Sequence, residues 1–139
     1  MSIMISKANR SFFNAARVVS ELSDHKHKLG CVVVLGHRIV SSGHNSKSKC
    51  HKIQALMDKE MFGCESFGPL HAEVDALIPL LKKKVDLSRA TIYVYREHKD
   101  GTPALAHPCS RCIGLIKQCG IKRIHYTTNN GYAVENVEL

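Results

Sequence analysis

Two short motifs carry the residues of this chain best suited to chemistry: His71-Ala72-Glu73 and Pro108-Cys109-Ser110-Arg111-Cys112. Each reads as the start of a helix, where free backbone N–H groups and the helix dipole favour thiolate over thiol. A Cys-x-x-Cys pair on a first turn can point both sulfurs at one ion, and a histidine from a second helix can add a nitrogen. His71, Cys109 and Cys112 would then be three ligands to Zn2+, leaving the fourth position of a tetrahedral ion open for water. An open position is the mark of a catalytic site, since zinc lowers the pKa of a bound water from roughly 15.7 toward about 7. Glu73, two residues from a ligand, is free to act as a general acid and base on that water. Taken alone, the Cys-x-x-Cys could be a redox pair or half of a structural zinc site, and the His-Ala-Glu carries little. Their joint placement on matching elements favours the catalytic ion, and the strand context of a thioredoxin-like dithiol is missing.

The surrounding pattern supplies those elements. Ala8, Phe12, Ala15, Val19 and Leu22 recur at three- and four-residue steps and predict an amphipathic helix over 7–22. The β-branched run Leu29–Leu35 and its neighbour Arg38–Ser42, joined by Gly36-His37, predict an antiparallel hairpin with a type II′ turn. A long mixed segment from His44 to Pro69 follows, with a short helix expected over Ile53–Phe62. The periodicity of Val74, Leu77, Ile78 and Leu81 predicts a helix over 70–84, with His71 in its first turn. Pro79 should kink or shorten it. A third strand is expected at Thr91–Tyr95, and a third helix over Cys109–Cys119 closed by Gly120. Ile121–Thr127 and Tyr132–Val137 would form two further strands paired antiparallel about Asn129-Asn130-Gly131.

At 139 residues the chain has the length of one domain, spanning 1–139, and its 44% hydrophobic and 23% charged composition is that of a soluble globular protein. No apolar run approaches the roughly 20 residues of a membrane span, so no membrane association and a cytoplasmic location are expected. Six cysteines in a reducing compartment argue for metal or catalytic roles for some of them rather than a disulfide framework. Cys31 and Cys119 read as core or half-buried thiols, and His25, His27, His37 and His98 as solvated. The formal net charge of +8 is spread along the chain. It suits phosphate monoesters, nucleic acid or solubility alike.

The pairing of H-x-E with P-C-x-x-C is the signature of zinc deaminases, and over nearly its whole length the chain resembles the cytidine and deoxycytidylate deaminase superfamily. The resemblance implies an α/β fold, a three-layer α/β/α arrangement around a mixed five-stranded sheet, and hydrolytic deamination with Glu73 as proton shuttle. It also implies that Asn45, in Gly43-His44-Asn45, meets the substrate sugar and that the Ala72 backbone N–H faces the base. Family members commonly form homo-oligomers whose neighbours complete the pocket. Some deoxycytidylate deaminases hold a second, structural zinc in the long loop. Here Cys50, His51 and Cys64 offer no tight pairing, and a second ion is disfavoured.

The expected substrate is a free cytosine nucleotide or nucleoside, with deoxycytidylate foremost. Lys47, Lys49, Lys52 and Arg111 are candidates to meet its phosphate, although surface lysines more often only solvate a loop. Cytosine or adenine in single-stranded nucleic acid is the alternative. The charge favours it, whereas 6% aromatic residues and no Trp make stacking platforms scarce, although Tyr95, Tyr126 and Tyr132 remain. A catalytically silent zinc-bearing subunit is a third reading, and Glu73 argues against it. The family pattern itself pulls two ways. The chain stops soon after the fifth strand, as free-cytidine deaminases do, yet those generally carry Cys at the position of His71.

Overall fold

The computed structural model describes residues 6–48, 54 and 70–137, and the structural statements below concern these. Ser6 caps the first helix, α1 (Lys7–Ser20), its Oγ accepting the Asn9 N–H at 3.1 Å, which satisfies a donor that the helix start leaves orphaned. The helix buries Phe13, Ala16 and Ser20, with Phe12, Ala15 and Val19 along the border of that face. The stripe read from the sequence is therefore one residue out of phase. Leu22, its last member, lies beyond the helix end and is 68% exposed, because the 3.6-residue period no longer holds there.

The hairpin forms where expected. β1 (Leu29–Leu35) and β2 (Arg38–His44) pair antiparallel about Gly36-His37. Gly36 takes φ +67° and His37 keeps a negative φ, the combination a type II′ turn needs. β2 runs two residues further than expected, through Gly43 to His44. The next described helix, α2 (Ala72–Lys82), contains Pro79 and ends two residues short of the expected 84. That proline donates no hydrogen bond to the preceding turn, yet its own carbonyl accepts the Lys83 N–H at 3.2 Å, so the helix ends one turn later. β3 (Ala90–Arg96), α3 (Ser110–Gln118), β4 (Arg123–Thr128) and β5 (Gly131–Asn136) complete the order, with Gly120 at φ +84° just past α3.

The five strands line up as β2-β1-β3-β4-β5; β3 and β4 are parallel and the other neighbours antiparallel. Alternation decides the two faces. Cys31, Val33, Ile92, Val94 and Ile124 pack with Leu77 and Ile116 of α2 and α3. Val32, Val34, Tyr93 and Tyr95 pack with Phe13 and Ala16 of α1. The result is the expected three-layer α/β/α arrangement around a mixed sheet. β2 and β3 both oppose β1, so they run parallel to each other, and α2 and α3 each start beyond the carboxyl end of such a strand. Ligand sites of α/β sheets form at that edge. Among the described residues, no helix is long and apolar enough to cross a membrane.

Candidate metal centre and active-site cleft

His71 and Cys109 occupy equivalent positions, each the N-cap of its helix, in extended backbone at φ −83°, ψ 144° and φ −69°, ψ 168°. His71 was expected inside the first turn and sits one position earlier. Neither side chain caps its helix. The N-cap residues usually preferred, Ser, Thr, Asp or Asn, spend a side-chain oxygen on the first-turn amides; here the imidazole and the thiol are left free to face each other. Cys112, on the first turn of α3, turns its sulfur to the same point.

The donor atoms of His71, Cys109 and Cys112 lie within 4.8 Å of one another, the one such cluster among the described residues. The His71 Nδ1 stands 3.7 Å from the Cys109 Sγ and 3.5 Å from the Cys112 Sγ. Bonds of about 2.3 Å to sulfur and about 2.0–2.1 Å to nitrogen, opened to a tetrahedral angle, place the two atoms roughly 3.6 Å apart. The donor set and its spacing therefore fit zinc. Hydrogen bonding from Cys112 and from His71 holds the Cys109 thiol down to about 3, against the opposing effect of burial. The Cys112 thiol is pushed up as the donor in that bond and by its burial. His71 is raised, chiefly by its bond to Cys109. The lowered Cys109 pKa makes its sulfur available as a thiolate, the form that ligates a metal.

Glu73, at the second position of α2, is 4% exposed. Burial pushes its carboxyl above the usual value, partly offset by its own backbone amide and by His71. A buried carboxyl with a raised pKa holds a proton more readily than an exposed one, which suits a proton shuttle.

Several contacts fix these helix starts. Leu70 and Ser46 exchange backbone hydrogen bonds of 3.0 Å each way, which ties the residue before His71 to the end of β2. The buried Gln54 accepts the His71 N–H at 2.9 Å through its Oε1. Gly43 brings β2 so close to α2 that a Cβ there would stand 2.5 Å from the Ala72 carbonyl oxygen. On the other side, Ala104 and Ala106 bond to Arg96 and Thr127 and stitch the loop leading to Pro108 onto the ends of β3 and β4.

The metal cluster opens into a cleft of about 260 Å³ lined by His25, His27, Leu29, Asn45, Leu70, His71, Ala72, Glu73, Ala106, His107 and Cys109. Asn45 is buried. Its Oδ1 accepts from the Ser23 hydroxyl at 2.6 Å and the Leu29 N–H at 2.8 Å, and its Nδ2 donates to the His27 carbonyl at 2.7 Å. Both oxygen lone pairs are used, and one amide hydrogen remains for the cleft. The Ala72 N–H, first in α2, has no acceptor within the helix. Lys47 and Arg111 are not among the described lining residues. The Lys47 backbone N–H donates to Asp24 at 2.7 Å, and its side chain is exposed. Cys50, His51 and Cys64, with Lys49, Lys52, Pro69 and the helix expected over Ile53–Phe62, lie outside the described residues, Gln54 apart. Cys31 is buried in the core and Cys119 half-buried, both as free thiols.

The polar stretch from Ser23 to Lys28 reads in the sequence as a mere connection. In the fold it forms a wall of the cleft, and His25 and His27 belong to the site rather than to solvent alone. Their i, i+2 spacing beside a strand start is the one signal that could have drawn attention to them. His107 was missed for a different reason, being the neighbour of a motif already read for its cysteines. It packs edge-on to Tyr126 and pairs with Glu135 at 2.7 Å.

A sequence profile of the cytidine and deoxycytidylate deaminase zinc-binding region matches residues 6–128. The chain belongs to this family. It is accordingly a zinc-dependent deaminase, a hydrolase. No curated protein sequence matches it. Among solved structures, dCMP deaminase from the cyanophage S-TIM5 in its apo form superposes with a TM-score of 0.62 at 24% identity, covering 88% of this deaminase and 84% of the phage chain. The same phage enzyme in complex with dCMP and dUMP gives 0.62 at 22% identity, covering 89% and 83%. Cytidine deaminase from Burkholderia pseudomallei gives 0.66 at 17% identity, covering 96% and 94%. These likenesses are of fold.

Proposed function

We propose that this deaminase acts on a free cytosine nucleotide, converting dCMP and water to dUMP and ammonia. The observation that carries the reading is the cleft. It is lined by Glu73, the metal donors His71 and Cys109, and Asn45, in a volume of about 260 Å³, small among ligand pockets and suited to one base with its sugar. No Phe, Tyr or Trp is among its described lining residues, whereas a base taken from a single strand is held by neighbours stacked on such rings. The phage deaminase of the same fold, solved with dCMP and dUMP, supports the nucleotide as substrate.

Zinc held by His71, Cys109 and Cys112 supplies Lewis-acid activation of water when bound. Glu73 takes a proton as water adds to C4 of the ring and passes it to N3; it then takes the proton of the new C4 hydroxyl and delivers it to the departing amino group as the C4–N bond breaks and the C4 carbonyl forms. The raised pKa of Glu73 suits both directions of transfer. The spare amide hydrogen of Asn45 donates to a sugar hydroxyl, and the Ala72 N–H to the base carbonyl.

Ammonia release from dCMP, deoxycytidine, CMP, cytidine, the triphosphates, guanine, and cytosine- and adenosine-bearing oligonucleotides tests this reading. Cytosine nucleotides should head the series. Turnover of oligonucleotides alone would overturn it.

A further inference from the structure

The two histidines on the wall beside Asn45 are held in one tautomer. The His27 backbone N–H donates to His25 Nδ1 at 2.9 Å, and Arg96 Nη2 approaches His27 Nδ1 at 3.1 Å. A guanidinium and a peptide N–H have no lone pair to offer. Each Nδ1 is therefore an acceptor, and the ring proton of each imidazole sits on Nε2. Two cleft-lining rings are thereby left with one polar function each, an Nε2–H donor. The Arg96 cation stands behind His27; in sequence Lys26 lies between the two histidines, Lys28 follows them and Asp24 precedes them. The Arg96 charge also depresses the His27 pKa, consistent with a neutral, donating ring. The segment is tied down on the sugar side, since Asn45 Nδ2 donates to the His27 carbonyl at 2.7 Å. Whatever extends from a sugar at Asn45 along this wall meets two donors, that of His27 with a positive charge behind it, which is a receptor for a phosphate monoester.

We propose that His25 and His27, backed by Arg96, recognise the 5′-phosphate of the substrate and set the preference for nucleotide over nucleoside. The inference rests on the nucleotide reading above and assigns the phosphate to this wall rather than to Lys47 or Arg111, which do not line the described cleft.

Steady-state kinetics on dCMP and deoxycytidine, with zinc content measured alongside, test it for the wild type, His25→Phe, His27→Phe, the double variant and His27→Gln. Glutamine places an amide N–H near the position of Nε2–H, so His27→Gln should keep most of the preference. In the double variant the ratio of kcat/KM for dCMP to that for deoxycytidine should fall at least about tenfold, the scale of one charge-assisted hydrogen bond. The loss should lie in KM for dCMP, and competitive inhibition by inorganic phosphate should weaken in parallel. A zinc-replete double variant with the wild-type ratio overturns the proposal while leaving the nucleotide reading intact. A wild type that prefers deoxycytidine, or turns over only oligonucleotides, overturns both.

Discussion

At the scale of single residues, the division of labour follows from where each side chain meets water and where it does not. Glu73 is buried beside the donor cluster with its carboxyl raised, and it is not one of the three donors. Glu73→Gln should therefore keep one zinc per chain by elemental analysis while kcat drops by about 10²–10⁴, the usual worth of a positioned proton-transfer group. Loss of zinc in that variant would mean that the carboxylate is a ligand. Cys109→Ala should do the reverse and abolish metal retention and turnover together, because two donors hold zinc poorly; a zinc-replete, active Cys109→Ala enzyme would remove Cys109 from the centre. These four residues were legible in the sequence because residue type and spacing alone limit what a His, a Glu and a Cys-x-x-Cys at helix starts can do. His25 and His27 were not, since the tautomer of His27 depends on Arg96, a partner 69 residues away. Gln54 gave no signal at all, as its contact is with a backbone N–H.

At the scale of elements, two glycines let helices approach the sheet, one on each face. A Cβ at Gly30 would stand 2.0 Å from the Ala16 carbonyl oxygen and 2.6 Å from the Ser20 nitrogen of α1. At Gly43 it would stand 2.5 Å from both the Ala72 oxygen and the Ala76 nitrogen of α2. These are backbone atoms, so a helix must move, and each Gly→Ala substitution should cost about 1–3 kcal/mol in chemical denaturation. Only α2 carries His71 and Glu73. Gly43→Ala should consequently lower kcat/KM of the folded enzyme by tenfold or more, since misplacement by about 1 Å can cost about 10²-fold, whereas Gly30→Ala should stay within about threefold of wild type. Equal losses would show that the distortion spreads through the sheet. Hairpin and helix identities were readable here from turn glycines and periodicity. The close approach at Gly43 was not, because a glycine within a strand states that room is needed without saying for what.

At the scale of the whole molecule, the two outer layers are unequal. α2 and α3 share one face of the sheet, while α1 alone covers β1 and β3 on the other. The coverage there extends to β4 and β5 through a ring cluster: Phe13 lies 5.3 Å from Tyr93 and 4.5 Å from Tyr132, and His125 stacks on Tyr93 at 4.5 Å and 13°. His125 is 8% exposed. Burial, and secondarily Arg123, lower its pKa from the usual 6.5 to about 4. In the unfolded chain the imidazole takes up its proton as the pH falls through about 6.5, whereas in the fold it stays neutral until about 4. The unfolded state binds more protons across that interval, so acidification from pH 7 destabilises the fold. The full difference corresponds to about 3 kcal/mol. His125→Phe keeps a ring on Tyr93 and removes the titration. Between pH 7 and pH 4.5 the wild type should lose about 2–3 kcal/mol more in urea unfolding than this variant. Any release of zinc on acidification acts on both proteins and cancels in the comparison, which isolates the α1 face from the active-site face. Parallel pH profiles would mean that His125 is protonated as readily in the fold as outside it, and that the ring cluster does not seal this side of the sheet.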